Sequence, residues 1–132
     1  MALSQERNTQ ARHSGRWQYL IGAGVKIYAG ALVAIENGYL VPGKTATGLL
    51  AQGRAEETVD NTGGAAGAQR VPAERGTFLF ANSATDAVVQ ADVGKECFIV
   101  DDETVAKTNG TNTRSRAGIV RAVETGGVWV EL

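Results

Sequence analysis

The chain has 132 residues, of which 43% are hydrophobic, 17 are glycine and 2 are proline, which suits one globular domain without room for two full cores. Thirteen basic residues stand against fourteen acidic ones, so the formal net charge is -1. This balance excludes a strongly basic nucleic-acid binder and gives no reason to expect attraction to an anionic membrane.

The sequence gives no indication of secretion or of membrane insertion. Its single cysteine, Cys97, lies inside an apolar run and has no partner for an internal disulfide, unlike the cysteines of a disulfide-stapled secreted scaffold. The polar N-terminus lacks the apolar segment of a signal peptide, and no apolar run approaches the roughly 20 residues of a membrane-spanning helix. We therefore expect a protein that is made and used in a reducing compartment.

The N-terminal segment differs in composition from the rest of the chain. Residues 1–16 hold three arginines against a single glutamate and little that a core could bury. We expect an extended N-terminal arm over residues 1–22 and a single domain over residues 23–132; the alternative is a frayed terminus without a role. Arginine and large aromatic side chains are the usual hot spots of protein interfaces. The residues expected to form a protein–protein interface, with a partner or with a second subunit, are Arg7, Arg12, Arg16, Trp17 and Tyr19.

The first clear element of the domain is a β-hairpin. Residues 31–35 and 39–41 are apolar and flank Asn37-Gly38. This dipeptide readily adopts the positive φ angles of a type I′ turn. The sequence therefore predicts two paired antiparallel strands here.

Short segments bounded by Gly, Asn, Asp or Pro follow. They are residues 48–54, 57–60, 69–71, 76–81, 95–101 and 104–106. The stretch 61–68 is too rich in glycine for a helix and is predicted to be a flexible hairpin loop. No window offers a helix of more than two turns that is free of Gly or β-branched residues.

The C-terminus is predicted to be a second hairpin. Residues 117–123 and 128–132 flank a turn at residues 124–127. In the last strand Val128, Val130 and Leu132 share one face and alternate with polar or aromatic residues, a period of two typical of a half-buried strand. Turns spaced about 8–12 residues apart predict an all-β, compact β-barrel-like domain of short antiparallel strands and hairpins.

One motif matches a phosphate-binding loop by letter alone. Residues 38–45 fit the pattern GxxxxGK[ST], and the run 98–101 ends in an aspartate that could bind magnesium. That chemistry requires a helix directly after Lys44, because helical N–H groups hold the phosphates. Residues 45–48 are β-branched or small instead, so we expect strand and turn structure and no nucleotide site.

Other arrangements that could carry chemistry lack the residues they need. The acidic runs 56–57 and 101–103 are flanked by turn residues and favour solvated loops over an acid–base pair or a calcium site. The only histidine, His13, lies in the arm. Neither a nucleophile–histidine pair nor a zinc site can therefore be assembled with Cys97. We expect no enzyme activity, no metal and no cofactor.

Three arginines near the C-terminus, Arg114, Arg116 and Arg121, are candidates for a nucleic-acid surface. On a regular strand Arg114 and Arg116 face one way and Arg121 faces the other. Only 6% of residues are aromatic, too few to interleave with these arginines as stacking platforms for single strands. A solvated sheet face or a protein–protein rim is predicted instead.

Several stretches of residues 24–132 share a distinctive spacing of turns and strands. They are residues 30–42 (GALVAIENGYLVP), 53–64 (GRAEETVDNTGG), 75–78, 92–95, 100–105, 116–120 and 127–131. In these stretches the chain resembles small capsid decoration, or cement, proteins of tailed bacteriophages. The resemblance rests on spacing and turn chemistry and leaves the segment before Trp17 uncovered.

The resemblance implies a β-barrel-like structural protein of the virion that is not an enzyme. It implies a trimer, synthesised in the bacterial host cytoplasm, that binds the outer surface of the capsid and bridges copies of the major capsid protein. Its partners would be that protein and itself, with no nucleic acid, membrane or small-molecule substrate. The alternatives are a head–tail joining or tail-tube protein, or a ligand-binding β-barrel, against which the shortage of pocket aromatics argues.

Overall fold

The computed structural model describes residues 1–12 and 15–132. Its elements in chain order are β1 (Arg16–Leu20), β2 (Lys26–Ile27), β3 (Leu32–Glu36), β4 (Tyr39–Pro42), β5 (Leu50–Ala55), β6 (Val59–Asp60), β7 (Arg70–Glu74), β8 (Thr77–Asn82), a 3-10 turn (Gln90–Asp92), β9 (Glu96–Ile99), β10 (Thr104–Ala106), β11 (Arg116–Glu124) and β12 (Gly127–Glu131). The prediction of an all-β fold that contains a barrel is confirmed.

The first half of the chain forms an antiparallel sheet in the order β1-β7-β5-β3-β4. The predicted hairpin is present as β3 and β4, and its turn residues Asn37 and Gly38 have φ angles of 51° and 86°. At one end the two edges of the sheet meet, because Ile21 bridges to Leu40. The short strands β2 and β6 pair with each other separately.

The second half of the chain forms a closed barrel in the order β10-β8-β12-β11-β9. The C-terminal hairpin is confirmed: Val128 and Val130 are fully buried, whereas Glu131 is exposed. Strand β10 closes the barrel by pairing in parallel with β8 and antiparallel with β9.

Two buried clusters lie on the two sides of β3. Leu32 and Ala34 pack with the barrel residues, whereas Val33 packs on the opposite side with Ile21, Leu40 and their neighbours. Successive side chains of a strand point to opposite faces, and both faces of β3 are covered. The chain therefore holds two small clusters in place of the single core that its length suggested.

The folded domain begins earlier than expected. The sequence predicts an extended arm as far as residue 22, but Arg16–Leu20 is strand β1, paired antiparallel with β7, and Ile21 is completely buried. Residues 1–12 are exposed and form neither helix nor strand. Regular structure thus begins at Arg16, and this part of the chain reaches the core through Tyr19 and Ile21.

Two further expectations are corrected, one by long-range strand pairing and the other by the irregular register of β11. The segment 61–68 is not a hairpin loop, because the strand before it, β6, pairs with β2, whereas the strand after it, β7, pairs with β1 and β5. The segment is anchored by buried Asn61, whose side-chain amide donates to the Gly22 and Ala65 carbonyls. Arg121 does not point away from the side of Arg116: both are exposed. Two irregularities in the register of β11 shift its alternation.

Candidate functional site

A concave surface lies beside β1, with a cavity of about 630 Å³. Its lining residues come from the end of the arm, from β1 and from β7, and we call it the Trp17 groove: Arg12, Gly15, Arg16, Trp17, Gln18, Arg70 and Glu74. It therefore gathers three of the five interface residues expected from the sequence.

The groove lies at a sheet edge. The Ile21 N–H donates to the Gln69 carbonyl at 3.0 Å and the Arg75 N–H donates to the Gly15 carbonyl at 2.6 Å. Because hydrogen-bonded residues alternate along an antiparallel pair, the peptide groups of Arg16 and Gln18 are directed away from β7. Within the described part of the chain no strand pairs with them. Such an edge is open to another molecule.

Two aromatic side chains of β1 differ in what they contact. Trp17 is 43% exposed, and the Arg12 guanidinium lies 5.2 Å from its ring centre, a cation–π arrangement. Tyr19 is half-buried against the chain's own core, and its hydroxyl donates to Gln52 Oε1 at 3.0 Å. Trp17 is thus available to a partner, whereas Tyr19 already supports the domain.

The charge of the groove is mainly positive. Arg12, Arg16 and Arg70 form no ion pair with any described residue, whereas the one carboxylate of the lining, Glu74, lies 3.8 Å from Arg54. Unpaired guanidinium groups next to an exposed tryptophan suit an acidic partner, because Arg pairs with carboxylates in two parallel hydrogen bonds.

The remaining expected residue, Arg7, lies on the exposed arm and does not line the groove. Arg70 and Glu74 were not found from the sequence, because they reach the groove only through the pairing of β1 with β7. The local sequence around Arg70 carries no signal of that pairing. An alternation of apolar residues in 16–21 could have indicated β1 itself.

The segment that resembles a phosphate-binding loop has a different structure. Residues 39–42 form β4, and the Lys44 ammonium group bonds Glu36 at 2.9 Å. The Thr45 hydroxyl donates to the Val100 carbonyl at 2.7 Å. The N–H cradle of a helix N-terminus that phosphate binding requires is not formed after Lys44.

The structure describes one of the two residues, Cys97 and His13, that the sequence offers for nucleophilic or zinc chemistry. Cys97 is buried in the barrel, and burial raises the pKa of its thiol to about 11. His13 lies outside the described residues. Over residues 1–12 and 15–132, no cluster of three or more His, Cys, Asp or Glu side chains is placed to hold a metal ion.

The same described residues contain no helix long and apolar enough to cross a membrane. Comparisons with protein-family models, with curated proteins and with solved structures find no match to this chain.

Proposed function

We propose that this protein is a capsid decoration protein of a tailed bacteriophage, which binds the outer surface of the shell as an oligomer and bridges neighbouring major capsid proteins. The observation that carries the proposal is the exposed arm, residues 1–12, which leads into an open sheet edge beside exposed Trp17. The spacing resemblance of residues 24–132 to such proteins is the second support.

The physical role assigned to the arm is to cover a partner's surface. An exposed segment without its own helix or strand can follow a large surface and becomes ordered on binding, at an entropic cost. Arg7 supplies a charge for carboxylates of the capsid. An oligomer presents several arms at once, so contacts that are weak singly gain avidity from their high effective concentration.

The arm is tested by deleting residues 1–10, which removes Arg7 but keeps Arg12 on Trp17. Binding is measured by co-sedimentation with empty shells of the cognate major capsid protein. We expect an affinity loss of about tenfold or more, equivalent to about 1.4 kcal/mol for each factor of ten. Circular dichroism checks that the domain, which begins at Arg16, remains folded.

A matched pair of point variants sharpens this test. Arg7→Glu is expected to lower occupancy of the shell severalfold, whereas Arg121→Glu, the same change on the outside of the barrel, is expected to leave it unchanged. Unchanged binding by the deletion would contradict the role of the arm. Failure of the intact protein to bind any shell would contradict the function itself.

The number of copies in each particle distinguishes a decoration protein from the main alternative, a head–tail joining protein. A decoration protein is present in hundreds of copies per particle, whereas a head–tail joining ring has about a dozen, set by its closed symmetry. Quantitative mass spectrometry of purified virions, normalised to the major capsid protein, distinguishes the two.

A further inference from the structure

A second concave surface, of opposite charge, lies elsewhere on the molecule. Its cavity of about 420 Å³ is lined by Tyr28, Ala29, Gly30, Ala31, Asp102 and Glu103. Together with Asp101 we call it the acidic surface. It shares no residue with the Trp17 groove.

The backbone of the acidic surface is held firmly. The Asp102 carbonyl accepts the Leu32 N–H at 2.8 Å, and the Glu103 carbonyl accepts the Ala81 N–H at 2.8 Å. Within the turn, the Glu103 N–H donates to Asp101 Oδ1 at 2.9 Å. A partner that binds these carboxylates therefore does not have to order the loop, which lowers the entropic cost of association.

The charges of the two surfaces are complementary. Asp101, Asp102 and Glu103 form no ion pair with described residues, and the cation nearby, Lys26, lies 4.8 Å from the ring centre of Tyr28. The acidic surface thus has three carboxylates, with the Lys26 ammonium group beside it, whereas the groove has three guanidinium groups and one carboxylate. Each surface also presents an exposed aromatic side chain, Tyr28 at 56% and Trp17 at 43%.

We propose that the Trp17 groove of one chain binds the acidic surface of a second copy. Two grooves repel each other, and so do two acidic surfaces, whereas a groove and an acidic surface attract. Because the two surfaces are different patches of one chain, the contact is satisfied either twice, reciprocally, in a two-fold dimer or once per subunit, head-to-tail, in a closed ring. The contact assigns Arg12, Arg16 and Trp17 to the subunit interface and leaves Arg7 for the shell.

This inference does not depend on capsid binding, since it concerns the purified protein alone. The mass of the native particle is measured by light scattering. The unaltered chain is expected to form an oligomer whose dissociation constant rises as ionic strength increases from about 0.1 M to about 1 M, because the Debye length falls from about 10 Å to about 3 Å.

Charge reversal on either side should disrupt the contact. Arg16→Glu with Arg70→Glu, and separately Asp102→Lys with Glu103→Lys, are each expected to weaken association at least tenfold. The decisive variant combines all four changes, which restores opposite charges across the interface. It is expected to regain the oligomer.

Matched controls alter charge away from both surfaces. Arg116→Glu with Arg121→Glu reverses two arginines that form exposed ion pairs on the barrel, and Glu124→Lys reverses the exposed last residue of β11. Both are expected to keep the native mass. Circular dichroism confirms that every variant folds.

Three results would overturn the inference. The first is a monomeric unaltered chain at about 100 μM, a concentration that a specific contact of even μM affinity saturates. The second is a native mass that neither double charge reversal changes. If the double reversal in the groove then lowered occupancy of the shell alone, the groove would bind the capsid instead of a second copy. The third is a variant with all four charge reversals that folds but remains monomeric. That result would exclude association through these opposite charges.

Discussion

The Arg114 guanidinium donates a hydrogen bond to Asp86 Oδ2 at 2.8 Å, and this contact joins the turn after β8 to the loop before β11. The same oxygen accepts the Thr108 hydroxyl at 2.6 Å and the Thr108 N–H at 3.1 Å. These bonds, first that of the Thr108 hydroxyl and then those of its N–H and of Arg114, hold the pKa of Asp86 below its ordinary value of 3.8.

This arrangement predicts acid sensitivity. A carboxylate with a lowered pKa in the folded state contributes stability that is present above its ordinary pKa and is lost as pH falls through the folded-state pKa. We expect Asp86→Asn to lower the free energy of unfolding at pH 7 by about 1–3 kcal/mol and to flatten its dependence on pH below about 4. Urea unfolding at a series of pH values measures both. Glu124→Gln, at the exposed end of β11, is the control; parallel pH profiles for Asp86→Asn and the unaltered chain would refute the assignment.

Any side chain at position 53 is predicted to destabilise the fold. The φ of Gly53 is 143°, and a Cβ atom at this position would collide with the Glu74 backbone where β5 meets β7. We expect Gly53→Ala to destabilise the fold by about 2–4 kcal/mol. Thermal unfolding provides the measurement. Gly126→Ala serves as the comparison, because only Leu79 Cδ2, at 4.0 Å, lies near its Cβ position; equal melting temperatures for the two variants would contradict the prediction.

Ser115 ties the segment between β4 and β5 to the barrel. Its buried hydroxyl accepts the Leu49 N–H at 2.9 Å and donates to the Ala46 carbonyl at 2.7 Å. Removing it leaves two backbone groups without partners, so Ser115→Ala is expected to cost about 1–3 kcal/mol in denaturant unfolding. Thr45→Ala, which removes an exposed hydroxyl bond, is expected to cost less, and the reverse order would show that the Ser115 bonds are not important.

The Cys97 thiol is predicted to be unreactive. It is completely buried, and burial raises its pKa to about 11, so little thiolate exists at pH 8. Because the thiolate is the nucleophile, iodoacetamide should not label the folded protein within minutes but should label the chain in denaturant. Mass spectrometry follows the labelling. Rapid modification of the native state would show that the barrel opens at β9.

The sequence predicts the fold correctly where the paired strands are close together in the chain. The Asn37-Gly38 turn and the alternation after Gly127 each specify a hairpin within about fifteen residues, and both hairpins are present. It failed where strands distant in sequence meet. Nothing near Arg16 indicates that its partner is Glu74, so the sequence predicts only the part of the Trp17 groove that comes from Arg12, Arg16 and Trp17.

Strand β3 couples the unfolding of the two halves of the molecule. Leu32 and Ala34 belong to one apolar cluster and Val33 to the other. Unfolding of the first sheet therefore also removes the contacts that Leu32 and Ala34 make with the barrel residues. Neither half can open alone without exposing side chains of both. The amide protons of β3 should therefore exchange with solvent only when the whole chain unfolds, and the protein should denature in a single cooperative transition.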